Sequence, residues 1–193
     1  MKMIGLTGGI GAGKTTIAQI LEAMSYPVYY SDVRSKELCD HDEGIRSQLI
    51  LLCGEKAYED GHLNRPYLSD CIFSNPDLRI KVNEIIHPVV RNDFEAWTAQ
   101  QTNQLIFNEA AILFETGAYQ RFDAVMLVCA PIHKRIERVM LRDLCDKESV
   151  QQRIQSQWPE EQKRKLTNFT IENDGIRPIL IQVEEMIKRL LSQ

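Results

Sequence analysis

The chain has 193 residues, 44% of them hydrophobic and 26% charged, with a formal net charge of −4. That length allows one α/β unit with a sizeable core, and the acidic balance argues against a protein whose main task is holding nucleic acid. Cys39, Cys53, Cys71, Cys129 and Cys145 are odd in number and contain no C-x-x-C pair, which argues against a disulfide frame or zinc site and points to reduced thiols in a cytoplasmic setting. No apolar run is long enough for a bilayer, and Met1 leads straight into the first predicted strand, so neither a membrane span nor a signal peptide is expected.

The first strand candidate is the apolar run Met3-Ile4-Gly5-Leu6. Directly after it, Gly8 to Thr15 read G-G-I-G-A-G-K-T, a full G-x-x-x-x-G-K-[ST] loop. Glycines at 8, 11 and 13 let successive backbone N–H groups point at one anion, and the following helix adds its positive N-terminal dipole. Lys14 is placed to reach the β- and γ-phosphates, and the Thr15 hydroxyl is placed for Mg²⁺. Residues Gly8, Gly9, Gly11, Ala12, Gly13, Lys14, Thr15 and Thr16 therefore form the expected nucleoside triphosphate cradle.

Ile17, Ile20, Leu21 and Met24 recur at helical spacing, which predicts a helix over residues 14–25. Pro27 to Tyr30 is β-prone and ends at Ser31-Asp32. Residues 33–103 read as helical with polar breaks. The longest helix, about residues 78–97, holds Pro88, where a kink is expected beside His87. Leu105-Ile106-Phe107 predicts a second buried strand, ending at Asn108-Glu109, and Ala124 to Cys129 is the clearest strand. A basic helix over 131–144 and a charged one over about 147–166 follow. The last strand, Phe169-Thr170-Ile171, precedes Glu172-Asn173-Asp174-Gly175 and a closing helix over about 176–191.

Strands alternating with helical crossovers predict a three-layer α/β P-loop NTPase fold, with a five-stranded parallel sheet covered on both faces. The core is expected over about 1–32, 104–130 and 168–193. A helical insertion over about 33–103 would hold the acceptor, and a lid over about 131–167 would close over the nucleotide. Two such lobes at the ligand-binding edge suit a small-molecule kinase.

Seven stretches fall in a familiar order: Gly5–Thr15, Ser31-Asp32, I-I-H-P (Ile85–Pro88), I-L-F-E (Ile112–Glu115), R-V-M-L-R-D (Arg138–Asp143), R-I-Q-S-Q (Arg153–Gln157) and I-E-N-D-G (Ile171–Gly175). The chain resembles the dephospho-coenzyme A kinases over nearly its full length. The resemblance implies ATP with Mg²⁺ as phosphoryl donor and the ribose 3′-hydroxyl of dephospho-CoA as acceptor. It implies neither nucleic-acid nor membrane partners, and a monomer or weak homo-oligomer is expected. A nucleoside monophosphate kinase is the alternative, and a guanine reader of the N-K-x-D type is missing after the late strand. Tyr30 stands where the family commonly carries the first of two aspartates.

Asp32 is the candidate for accepting or orienting the acceptor proton; a water-bridged Mg²⁺ contact or a helix cap also suits its position. Glu109, at a strand end, suits the metal shell or the acceptor site, with a solvated surface glutamate as the alternative, and Glu115 likewise reads as either surface or site. Arg135, Arg138 and Arg142 share one helix face, which reads either as a row facing phosphate or as a solvated face paired with Glu137 and Asp143, the spacing leaving Arg135 undecided. The resemblance makes Arg138 and Arg142 the lid arginines that stabilise the transferring phosphoryl group, with Lys14 and Asp32 completing the catalytic set. It also makes His87 an acceptor-lobe residue. Arg65 would bind a phosphate of dephospho-CoA or cap the next helix. Asn173 and Gly175 would form the adenine-side turn, Asn173 contacting the base or holding the turn. Gln157 and Lys163 are weaker lid candidates.

Overall fold

The computed structural model describes residues 1–73 and 75–192. The chain divides into two compact units, Met1–Tyr30 with Gln101–Gln193, and Ser31–Gln100. Residues 131–167 cluster within the first unit.

The first unit opens with β1 (Lys2–Gly8), α1 (Lys14–Ala23) and β2 (Val28–Tyr30). The second unit contributes α2 (Ser31–His41), α3 (Glu43–Cys53), β3 (Tyr58–Glu59), β4 (His62–Leu63), α4 (Arg65–Phe73) and α5 (Pro76–Thr98). The first unit resumes with β5 (Leu105–Glu109), β6 (Ala124–Cys129), α6 (Ile132–Asp143), α7 (Lys147–Gln155), α8 (Glu160–Arg164), β7 (Phe169–Glu172) and α9 (Ile179–Ser192).

The five long-range strands form one parallel sheet in the order β2-β5-β1-β6-β7, the α/β architecture the sequence predicts. Alternation along the strands splits the core into two faces. Ile4, Leu6, Phe107, Met126, Val128 and Ile171 meet Ile17, Ala18 and Leu21 of α1 and Val183, Ile187 and Leu190 of α9. On the opposite face, Val125, Leu127 and Cys129 pack with Phe114, Tyr119 and Phe122. Burial on both sides explains why β6 reads as an unbroken apolar run.

The second unit has its own core, in which Cys39, Ile45, Leu49, Tyr58, Leu68 and Val82 are joined by Ile85, Ile86 and Val89. Asp42 caps α3 by accepting from the Ile45 N–H at 2.8 Å, and Asn75 caps α5 by accepting from the Leu78 N–H at 3.0 Å. Helix α5 continues through Pro88.

Two elements differ from the sequence reading. Residues 58–63 form an antiparallel hairpin where helix was expected, because Asp60 and Gly61 take φ of 50° and 84°. Positive φ at both turn positions is the tight-hairpin signature of an Asp-Gly pair. The helix expected over 147–166 is two helices, since Pro159 cannot continue α7 and instead precedes α8.

Candidate active site

Helix α1 begins at Lys14, and its N-cap, Gly13, has φ 99° with no side chain capping the first turn. The helix dipole places partial positive charge at this end, which suits an anion. Glycine is required at 13 on two counts: the left-handed φ, and a Cβ that would lie 2.2 Å from Asn173 Nδ2. At Gly11, φ is 76° and a Cβ would lie 2.4 Å from the Arg135 carbonyl oxygen. The loop is therefore pressed directly onto α6 and the turn after β7.

Lys14 folds back along the loop, where its Nζ donates to the Gly8 carbonyl at 3.1 Å and sits 4.0 Å from Glu109 Oε1. Parallel pairing sets this geometry, since Glu109 closes β5 in register with Leu6 of β1 and with Tyr30 of β2. Glu109 is only 6% exposed, so the surface alternative for it is corrected. A buried carboxylate beside the loop lysine suits a metal-bearing triphosphate.

Arg138 donates to the Gly11 carbonyl at 3.4 Å and to both the carbonyl and Oδ1 of Asn173 at 3.2 Å. Asn173 is 7% exposed and donates its Nδ2–H to the Ala12 carbonyl at 2.8 Å. Its amide is thus spent on the loop and Arg138, which favours the turn-holding alternative over a base contact. The Asx turn belongs instead to Asp174, whose Oδ1 accepts from the N–H groups of Ile176 and Arg177 at 2.8 and 3.0 Å. Those bonds hold the Asp174 carboxyl below its ordinary pKa. Gly175 follows with φ 77°, and Lys134 Nζ donates to the Asp174 carbonyl.

Arg142, at the far end of α6, is exposed and paired with Asp143 at 2.7 Å, as is Arg153 of α7. Arg135, which the sequence left doubtful, is 7% exposed and donates its Nε–H to the Ile10 carbonyl at 2.9 Å. Burial lowers its pKa from the usual guanidinium value. Glu115 begins no helix; it lies in a turn segment and meets the buried Lys163 at 2.6 Å. The sequence signal for Arg135 was its +3 spacing to Arg138, whereas the Glu115–Lys163 pair left none.

Within the second unit, Asp32 is exposed in the first turn of α2, where a carboxylate favours the helix dipole. Arg65 donates to Asp40 Oδ2 at 2.8 Å and to the Lys36 carbonyl at 3.1 Å. Partial burial works to raise the Asp40 pKa, yet the Arg65 and Leu63 hydrogen bonds hold it below the usual carboxylate range. Asn64, not Arg65, caps α4, accepting from the Tyr67 N–H at 3.1 Å. His87 lies on exposed surface of α5, and the surrounding protein and then Arg91 lower its pKa, leaving it neutral at pH 7. Tyr30, in the place of the family's first aspartate, donates its hydroxyl to Glu22 Oε2 at 2.8 Å. Desolvation and that acceptor raise its pKa, so the phenol stays protonated.

A five-stranded parallel sheet with this loop, an uncapped helix N-terminus and a buried acid beside the loop lysine defines a P-loop phosphotransferase. The family model described as dephospho-CoA kinase (CoaE) matches residues 2–178. A dephospho-CoA kinase of Porphyromonas gingivalis is 41% identical over 189 residues, covering 97% of this chain and 94% of the relative. One from Bacteroides fragilis is 40% identical over 185 residues, covering 95% and 90%. A crystal structure of TT1252 from Thermus thermophilus superposes with a TM-score of 0.87 at 32% identity, covering 99% of this chain and 96% of that one. The chain belongs to the dephospho-CoA kinase family. It is a kinase, and membership implies ATP as co-substrate. Among the described residues, no helix is long and apolar enough to cross a membrane.

Proposed function

We propose that this chain transfers the γ-phosphoryl group of ATP to the ribose 3′-hydroxyl of dephospho-CoA, the last step of coenzyme A synthesis, in the cytoplasm. The observation that carries the reading is the uncapped α1 N-terminus with Lys14 and the buried Glu109, in a chain matched by the family model over residues 2–178. In this reading the loop amides at Gly11 and from Gly13 to Thr15 cup the phosphates, and Lys14 neutralises the β- and γ-phosphates.

Among the described residues no three His, Cys, Asp or Glu side chains gather as a metal cage. That fits Mg²⁺, which keeps waters and phosphate oxygens in its shell and takes few protein ligands. The Thr15 hydroxyl is its ligand in this proposal and Glu109 an outer-shell acid; when bound, the ion supplies charge neutralisation on the phosphates. Asp32 orients the acceptor hydroxyl and takes its proton late, as a loose transition state allows. Arg138 and Arg142 stabilise charge on the transferring group, Arg65 and His87 serve the acceptor side, and the turn at Gly175 borders adenine.

The test is purified protein with ATP, Mg²⁺ and separate acceptors, with products resolved by chromatography. ADP and CoA should form with dephospho-CoA, and no ADP above background with AMP, CMP or GMP. Turnover on a nucleoside monophosphate, without turnover on dephospho-CoA, would transfer the assignment to the nucleotide kinases.

A further inference from the structure

Side chains far along the chain hold the backbone of the loop in shape. Ile10 donates its N–H to Gln157 Oε1 at 2.8 Å, across 147 residues of sequence. The same peptide unit has its other side fixed, because the Gly9 carbonyl accepts from the Ala12 N–H at 3.0 Å. The next unit is held too, through the Ile10 carbonyl and Arg135 Nε at 2.9 Å. In a trans peptide N–H and C=O lie on opposite sides, so these bonds decide which way the Gly11 N–H points.

Gln157 sits in the short turn between α7 and α8, and that turn is anchored at one carboxylate oxygen. Glu115 Oε1 accepts from the Trp158 N–H at 3.0 Å and lies 2.6 Å from Lys163 Nζ. Lys163 is 1% exposed, and its contact is an ion pair rather than an aligned hydrogen bond. Glu115 thereby grips the turn on both sides of Pro159.

We propose that Gln157 is a positioning residue for ATP, orienting the Gly9–Ile10 peptide, and that the Glu115–Lys163 pair holds Gln157 at that bond. The proposal rests on reading residues 8–16 as the ATP cradle. Gln157 touches no reacting atom; it acts through the loop backbone. Losing its oxygen leaves that peptide held on its carbonyl side alone, so the cradle is less firmly ordered before the triphosphate binds.

Gln157→Met keeps the side chain's bulk and removes the acceptor. It should raise the KM for ATP about tenfold, the scale of one hydrogen bond left unmade, with the KM for dephospho-CoA within about twofold. A merely structural role would lower the melting temperature without separating the two KM values. Glu115→Gln with Lys163→Met removes both charges together, which avoids stranding either in the interior. This double variant should raise the ATP KM similarly, and adding Gln157→Met should raise it no further, because all act through one bond. Multiplying effects would detach the ion pair from Gln157. Equal ATP KM values in Gln157→Met and wild type would overturn the proposal. Wild-type protein giving no heat on ATP titration would instead overturn the cradle reading beneath it.

Discussion

The two ends of α6 treat their arginines differently. At its start, Arg135 and Arg138 are turned onto backbone, donating to the carbonyls of Ile10, Gly11 and Asn173. At its end, Arg142 is exposed and shares Asp143 with Arg153. A guanidinium bonded to part-buried carbonyls cannot leave without costing them a partner, a loss of about 1 kcal/mol for each bond. An exposed guanidinium on a carboxylate in water gains about 1 kcal/mol or less, so a phosphate can take it over with little loss. The first kind shapes a site, and the second is free to follow a substrate. Arg65, exposed on Asp40, belongs with the second kind.

The sharpest challenge to that division lies with the loop lysine. Lys14 holds the Gly8 carbonyl and approaches Glu109, yet the proposed function gives it the phosphates. Lys14→Ala should lower kcat/KM by about 10³-fold or more in a coupled ADP assay, with the fold retained by far-UV circular dichroism. Activity near wild type would move the chemistry away from the shaped end. Asp32→Asn comes next. It should cut kcat by about 10²–10⁴-fold with ATP affinity unchanged by calorimetry. A kcat within about threefold of wild type would return Asp32 to a favourable charge at the start of α2.

What the residues announced and what they hid follow the same physical division. The sheet was legible because both faces are buried, giving apolar runs such as Ala124–Cys129 that nothing else explains. The loop was legible because its chemistry is local, written within eight consecutive residues. Asp60-Gly61 was also local, and its turn signal could have revealed the hairpin inside the apparent helical region. The partners of the loop were hidden. Gln157 lies 147 residues from Ile10 and Asn173 lies 161 residues from Ala12, and no spacing rule joins such pairs. Arg135 looked like a solvated helix charge because periodicity alone does not tell that a loop lies across that face. Tyr30 looked like a lost carboxylate; Glu22, the penultimate residue of α1, accepts from its hydroxyl instead.

Asn173 tests the shaping end from outside α6. Its N–H donates to the Cys129 carbonyl at 2.7 Å, while its side chain joins Ala12 to Arg138. Asn173→Ala leaves the Ala12 carbonyl without that donor, so urea unfolding should show a loss of about 1–3 kcal/mol. The ATP KM should rise with it, since the loop and the turn after β7 lose their link. A stability change below about 0.5 kcal/mol would place Asn173 with the exchangeable residues.

Arg153 should give the smallest effect, and for that reason it defines the other side of the division. Its Nη1 lies 2.7 Å from Asp143 Oδ2, with its side chain half open to solvent. Arg153→Gln should change stability by less than about 1 kcal/mol at pH 7, and less again in high salt, where exposed charges are screened. Hydrogen bonds from Arg142 and then Arg153 hold the Asp143 carboxyl below its ordinary pKa. A depressed carboxylate pKa stabilises fully above the unfolded value of about 3.9, and that contribution fades as pH falls through the folded value. The small difference between variant and wild type should therefore vanish toward acid, because the protonated carboxyl has no charge left for either arginine. A difference above about 2 kcal/mol, or one indifferent to acid and salt, would show Arg153 to be fixed as firmly as Arg135, and the contrast between the two ends of α6 would fail.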